Sequence, residues 1–237
     1  MSRKTVFFDL DGTLLPMDQS IFIRAYFGGI SKRLAPYGYE PDALVKAIWD
    51  GTAAMVANNG SVTNEEAFWQ SFTARFGEEC LTHVPIFDAY YQEDFDKVQT
   101  ACGFAPQSRE ILQLLHSRGV DAVLATNPIF PAIATQKRIG WAGLLPTDFK
   151  LITTYENSRH CKPNPDYYRD ILKTLNLRAE DCLMIGNDVE EDMIAETLGM
   201  KVFLLTDCLI NKHEKPIDRY PHGSFPELIE FLEKILD

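Results

Sequence analysis

The sequence predicts an α/β fold: a doubly wound parallel sheet interrupted by a block of helices. Three observations point to it. An apolar run, Thr5-Val6-Phe7-Phe8, ends in two aspartates. Helical patterns then succeed one another, with no strand between them, to about residue 100. Beyond that point apolar runs alternate with helical ones to the end of the 237 residues. Such alternation gives a parallel sheet covered on both faces, and the first run reads as a strand of that sheet, buried on both sides. The expected division is residues 1–15 and 100–237 for the sheet core and 16–99 for a helical domain inserted into it.

Pro16 breaks the backbone after the first strand. Phe22, Ala25, Tyr26 and Ile30 then recur at helical spacing, predicting a helix over 19–34 that Pro36 and Gly38 punctuate. Pro41-Asp42 suits a helix start, and Leu44, Ile48 and Met55 carry that helix towards Asn58-Asn59-Gly60. Thr63-Asn64-Glu65-Glu66 has the form of a capping box for a third helix through Phe76, which Gly77 ends. A fourth is expected over 85–98, rich in Phe87, Tyr90, Tyr91 and Phe95. Aromatic stripes at this spacing are assigned to packing by default. In the second part, helices are expected over 107–118, 131–139, 165–176, 189–198 and 226–236. Strands are expected over 120–125, 182–185 and 201–205, with a short one over 150–153.

Composition narrows the function. Lysine and arginine number 23 against 34 aspartates and glutamates, a net charge of −11. That balance argues against a nucleic-acid backbone or an anionic membrane as partner. No apolar run approaches a membrane span and no cleavable leader precedes the first strand, so a cytoplasmic protein is expected. Five scattered cysteines without CxxC spacing read as reduced thiols rather than disulfides or a zinc site.

Chemistry concentrates where the strands end. Asp9 and Asp11 are two residues apart, so on extended backbone their side chains point the same way. Gly12 then turns the chain. Two hard oxygen ligands at the carboxyl end of a buried strand suit magnesium. Asp9 capping a turn is the plainer reading. A calcium loop is excluded, because Leu14 and Ser20 stand where that motif needs glycine and glutamate. Thr126-Asn127, ending the next strand, can donate to phosphate oxygens, although taken alone a turn explains them better. Lys162 precedes a proline-defined helix start; it is either a solvated surface lysine or a point charge for a phosphate. His160 reads as a loop residue. Asp188 and Asp192 are four apart and share a helical face, while Glu190 and Glu191 are explained by the helix dipole.

Taken together, Asp9-Leu-Asp11-Gly-Thr13, Thr126-Asn127, Lys162-Pro-Asn-Pro and Asp188-x-x-x-Asp192 resemble, in order, the four motifs of the haloacid dehalogenase superfamily. The arrangement is similar to members with a helical cap inserted after the first strand. The resemblance implies a Rossmann-like core and a nucleophilic role for Asp9, which forms an aspartyl-phosphate. Asp11 is implied to protonate the leaving oxygen and then to deprotonate water. Magnesium is implied on the Asp9 carboxylate, the Asp11 carbonyl and Asp188. Thr126, the Asn127 amide and Lys162 are implied to hold the phosphoryl oxygens, with Asp192 behind them orienting Lys162 or a metal-bound water. Many members read Gly-Asp where this chain has Gly186-Asn187, so Asn187 competes with Asp188 for the ligand position; the charged Asp188 is preferred. The expected activity is magnesium-dependent hydrolysis of a small phosphorylated metabolite, a phosphomonoester. The alternatives are a phosphomutase and a non-catalytic phosphate-binding protein. Arg24, Tyr26 and Lys32 are candidates for contacting the leaving group, with ordinary surface placement the better reading for each.

Overall fold

The computed structural model describes residues 4–236. One parallel sheet runs in the order β2–β1–β3–β4–β5. Its strands are β1 (Thr5–Phe8), β2 (Asp121–Leu124), β3 (Cys182–Gly186), β4 (Lys201–Leu205) and β5 (His222–Gly223). Phe8 stands opposite Leu124 on one side and Ile185 on the other. The strand that ends in Asp9 is therefore flanked on both edges, at the place where the strand order reverses. In such sheets that is where a crevice opens beyond the carboxyl ends.

Alternation divides the strand residues between two cores. Val6, Phe8, Leu124 and Ile185 face one layer, which contains α5 (Pro106–Ser117), α6 (Ala132–Trp141) and α8 (Phe225–Leu236). Phe7, Val123, Met184 and Leu204 face the other, which contains α7 (Pro165–Leu175). Phe7 and Phe8 are fully buried on opposite faces, each contributing on the order of 1.5–3 kcal/mol. The expected doubly wound α/β architecture is the one observed.

Between β1 and α5 every regular element of the chain is helical. It holds α1 (Gln19–Leu34), α2 (Pro41–Val56), α3 (Asn64–Phe76) and α4 (Val84–Ala89). Asp18 caps α1 by accepting from the Ser20 and Ile21 amides. The expected capping box opens α3: the Glu66 amide donates to Thr63 Oγ1 at 3.1 Å and the Thr63 amide to Glu66 Oε2 at 2.7 Å. The expected fourth helix is not one regular helix. After α4 the winding widens to a π-turn over Tyr90–Asp94 and tightens to a 3₁₀ stretch over Phe95–Ala101. The wide turn lets adjacent Tyr90 and Tyr91 both point inward, and both are buried.

Three other expectations need correction. Residues 189–198 do not form an α-helix; turns lead into a 3₁₀ helix at Met193–Leu198. There Asp188 Oδ1 accepts the Glu190 and Glu191 amides as a helix cap would, and Asp192 Oδ2 accepts the Asp188 amide, but no regular α-helix follows. Residues 150–153 contribute only an isolated bridge, Ile152 to Leu124. The edge strand β5 was not expected, since a two-residue strand carries no periodicity. Among the described residues no helix is long and apolar enough to cross a membrane. All five cysteines are free.

Candidate active site

A cavity of about 360 Å³ lies between the carboxyl ends of the strands and the helical segment. Asp9, Asp11, Thr126, Asn127, Asp188 and Asp192 line it, with Asn187 beside them. Lys162 is fully buried directly behind Asp9. Residues from four separate stretches of sequence thus meet at one place.

Lys162 arrives on the loop before α7, which Asn164 caps and Pro165 starts. Its Nζ donates to Asp9 Oδ1 at 2.9 Å and to Asp192 Oδ1 at 2.6 Å. Burial alone would strip a proton from this ammonium, but Asp192 and Asp9 outweigh it and hold its pKa well above the usual lysine value. The other oxygen of Asp192 accepts from the Asp188 amide at 3.0 Å. Gly186 permits this closeness, because a Cβ there would overlap the Asp192 carboxyl.

Beyond Asp11 the chain turns at Gly12, whose φ of 91° favours glycine and where a Cβ would strike the Asn187 amide. Thr13 Oγ1 lies 3.0 Å from Asn187 Oδ1 and 3.3 Å from Asp9 Oδ2. Asn187 Nδ2 donates to the Cys208 carbonyl at 2.6 Å. Both ends of the Asn187 amide are thus engaged in tying loops together. Asp188 differs: its Oδ1 accepts the Glu190 and Glu191 amides at 2.8 and 2.9 Å, and among the described residues nothing donates to its Oδ2. Asn127 also joins loops, accepting from the Lys162 amide at 3.2 Å and donating to Glu191 Oε2 at 2.9 Å. Thr126 is fixed through its carbonyl, which accepts from Thr153 and Tyr167.

Sequence reasoning missed Arg138. It lies on α6, almost wholly buried, with its guanidinium paired to the Asp11 carboxylate and set 4.5 Å over the Phe130 ring. The signal was available: Arg138 is three residues after Thr135 and four after Ala134, on the buried face of the helix. An arginine in an apolar stripe needs a buried partner. Asp11 Oδ1 is itself buried without a hydrogen-bond donor. Burial pushes the Asp11 carboxyl up to about 6; Arg138 opposes this and Asp9 adds to it. Glu191, attributed to the helix dipole, lines the cavity, and burial raises its carboxyl to about 6. His160 is the loop residue expected, 2.7 Å from Asp170.

Among the described residues, no three His, Cys, Asp or Glu side chains form a ready-made metal cluster. Magnesium does not need one, since it is commonly held by one or two carboxylates, water and substrate phosphate. Asp9 and Asp188 offer carboxylates on one wall, and the undonated Asp188 Oδ2 fits that donor set.

Residues 3–195 match the family model of haloacid dehalogenase-like hydrolases. A ribulose-1,5-bisphosphate 5-phosphatase of Halopiger xanaduensis is 27% identical over 124 residues, covering 51% of this chain and 48% of that protein. An N-acetylmuramic acid 6-phosphate phosphatase of Pseudomonas putida is 23% identical over 223 residues, covering 91% of this chain and 88% of that one. Among solved structures, a 2-haloacid dehalogenase from Pseudomonas syringae pv. tomato superposes with a TM-score of 0.62 at 17% identity, covering 99% of this chain and 100% of that one. At that identity the superposition speaks for the fold alone.

Proposed function

The chain belongs to the haloacid dehalogenase-like hydrolases, and from that premise we propose that it is a magnesium-dependent phosphatase acting on a small organic phosphomonoester. One observation carries the reading: Asp9 and Asp11 line the same cavity, with the Lys162 ammonium 2.9 Å behind Asp9. A carboxylate two residues after the nucleophile is what ester-oxygen chemistry needs and what halide displacement does not.

Asp9 attacks phosphorus and forms an aspartyl-phosphate as the ester P–O bond breaks. Asp11 gives its proton to the departing alkoxide. It then takes a proton from the water that attacks the same phosphorus, releasing inorganic phosphate and restoring Asp9. An Asp11 carboxyl raised to about 6 suits a group that must hold and yield a proton near neutrality. Lys162, the Thr126 hydroxyl and the Asn127 backbone amide hold the phosphoryl oxygens. Asp192 keeps the ammonium in place. Magnesium would be held by Asp9, Asp188 and the Asp11 carbonyl, and when bound it supplies positive charge against the phosphate. The helical segment over residues 16–99 acts as a cap that closes the cavity and contacts the leaving group.

The test is Asp9→Asn with a generic aryl phosphate and magnesium. Turnover should fall by on the order of a thousandfold or more, with thermal unfolding still cooperative. Hydrolysis at the parental rate would remove Asp9 as nucleophile. Phosphoryl transfer to a sugar phosphate faster than release of phosphate would favour a mutase.

A further inference from the structure

Beyond the phosphate-facing residues, the cavity is walled by rings. Phe22, Tyr26, Trp49, Phe68, Trp69 and Phe87 line it from the helical segment. These rings are already packed on one another: Trp69 meets Phe87 edge-on at 5.3 Å and Phe68 at 5.2 Å, and Tyr26 meets Phe130 at 5.3 Å. Some of the wall's polar atoms are engaged inside it. The Tyr26 and Tyr91 hydroxyls lie 2.9 Å apart, and Thr52 Oγ1 donates to the Ile48 carbonyl. The wall therefore offers a ligand apolar faces and few hydrogen bonds.

Acids outnumber cations around it. Asp88 and Glu191 line the cavity, and Lys212, exposed on the opposite loop, is the lone lysine or arginine among the described residues lining it. Of the two basic candidates raised by the sequence, Arg24 is exposed and absent from the lining, and Lys32 belongs to a different groove. Partial desolvation and neighbouring Glu156 hold the largely exposed Asp88 carboxyl above its usual range, so a further anion there would add to negative charge already present. A second phosphate or carboxylate on the substrate would meet those acids without a buried cation to answer them.

We infer that the leaving alcohol of the substrate is uncharged and ring-bearing or otherwise apolar, and that phosphomonoesters with a second acidic group are poor substrates. This rests on the phosphatase reading above. It also separates the chain from the two similar phosphatases, whose names specify a bisphosphate and an acidic sugar phosphate.

The experiment compares kcat/KM, with magnesium, for 2-phenylethyl phosphate, ethyl phosphate, ribulose 1,5-bisphosphate and N-acetylmuramic acid 6-phosphate. The first two share an alkyl leaving group, so the ring is isolated from leaving-group reactivity. Apolar discrimination of one or two methylenes already gives on the order of tenfold or more, and 2-phenylethyl phosphate should lead each of the others by at least about that factor. An acidic substrate matching or exceeding it overturns the inference and leaves the phosphatase reading intact. Binding is read separately in Asp9→Asn protein, and in wild-type protein with excess chelator, from the intrinsic fluorescence of the three tryptophans, two of which, Trp49 and Trp69, line the cavity. Saturable change with 2-phenylethyl phosphate but not with ethyl phosphate supports the apolar site even if nothing is hydrolysed, in which case the phosphatase reading alone fails. Equal responses to both esters overturn the inference.

Discussion

The sheet side of the cavity holds its side chains by charge and hydrogen bonding, whereas the helical side holds its own by ring packing. On the sheet side Lys162 Nζ is locked between Asp192 at 2.6 Å and Asp9 at 2.9 Å, and Asn127 and Asn187 stitch neighbouring loops. On the helical side Trp69, Phe68 and Phe87 meet at 5.2–5.3 Å through faces and edges. Ion pairs in a buried setting fail sharply when one member is lost. Packed rings tolerate exchange for others of similar volume. The difference teaches where variation can occur: under the proposed function, the chemistry would belong to the wall that cannot change and the choice of leaving group to the wall that can.

The largest break in that contrast is Lys162→Met. It leaves Asp9 and Asp192 facing each other in a buried site with no cation. Removing one partner of a buried pair costs on the order of 3–5 kcal/mol, or about 10 °C in melting temperature for a chain of this size. Thermal unfolding checks this, alongside a loss of kcat/KM of about a hundredfold or more. A protein that melted like the parent would show that the ammonium does not balance these carboxylates.

Arg138 sharpens the comparison because it belongs to the charged wall yet also touches an aromatic one, through Phe130. Its guanidinium positions the Asp11 carboxylate. Arg138→Met should lower kcat by about tenfold or more while KM moves less, since general acid–base placement is worth on the order of 10²–10⁴ in rate. Arg138→Lys keeps the charge but not the planar fork, so it should recover part of the loss. A purely structural arginine would instead lower stability in both variants without that split between kcat and KM.

How much of this was legible depended on the length of the pattern. The strand Lys201–Leu205 is a continuous apolar run after its lysine and the helix Gln19–Leu34 repeats its apolar spacing over several turns, and both were readable. So was the gathering of Asp9, Thr126, Lys162 and Asp188 at the strand ends, because parallel topology dictates it. The burial of Arg138 was readable from the apolar face of its helix, but its partner, 127 residues away, was not. The turns after Asp188 were misread as helix because an aspartate that accepts the amides two and three residues on looks the same in sequence whether or not a regular helix follows. The aromatic stripes of the helical segment were assigned to packing. For Tyr90 and Phe95, which are fully buried, that is what they do. Phe87 and Tyr91, from the same stripe, pack and also line the cavity. Spacing alone cannot tell a ring packed on rings from a ring facing a cavity.

The smallest expected effect comes from the one acid that the helical segment adds to the cavity. Burial and Glu156 raise the Asp88 carboxyl above its usual range. The folded protein therefore binds that proton more tightly than the unfolded chain does. As pH climbs past the ordinary carboxylate range the folded state pays a growing electrostatic cost, which vanishes once pH falls below the unfolded value. Asp88→Asn removes that cost. The variant should melt about one degree above the parent at pH 7, an exposed group being largely screened by solvent. The gap should close towards pH 4 and shrink in high salt. A variant less stable than the parent at pH 7 would mean that Asp88 answers a positive charge in the cavity wall. The helical side would then no longer stand apart from the sheet side as the wall without one.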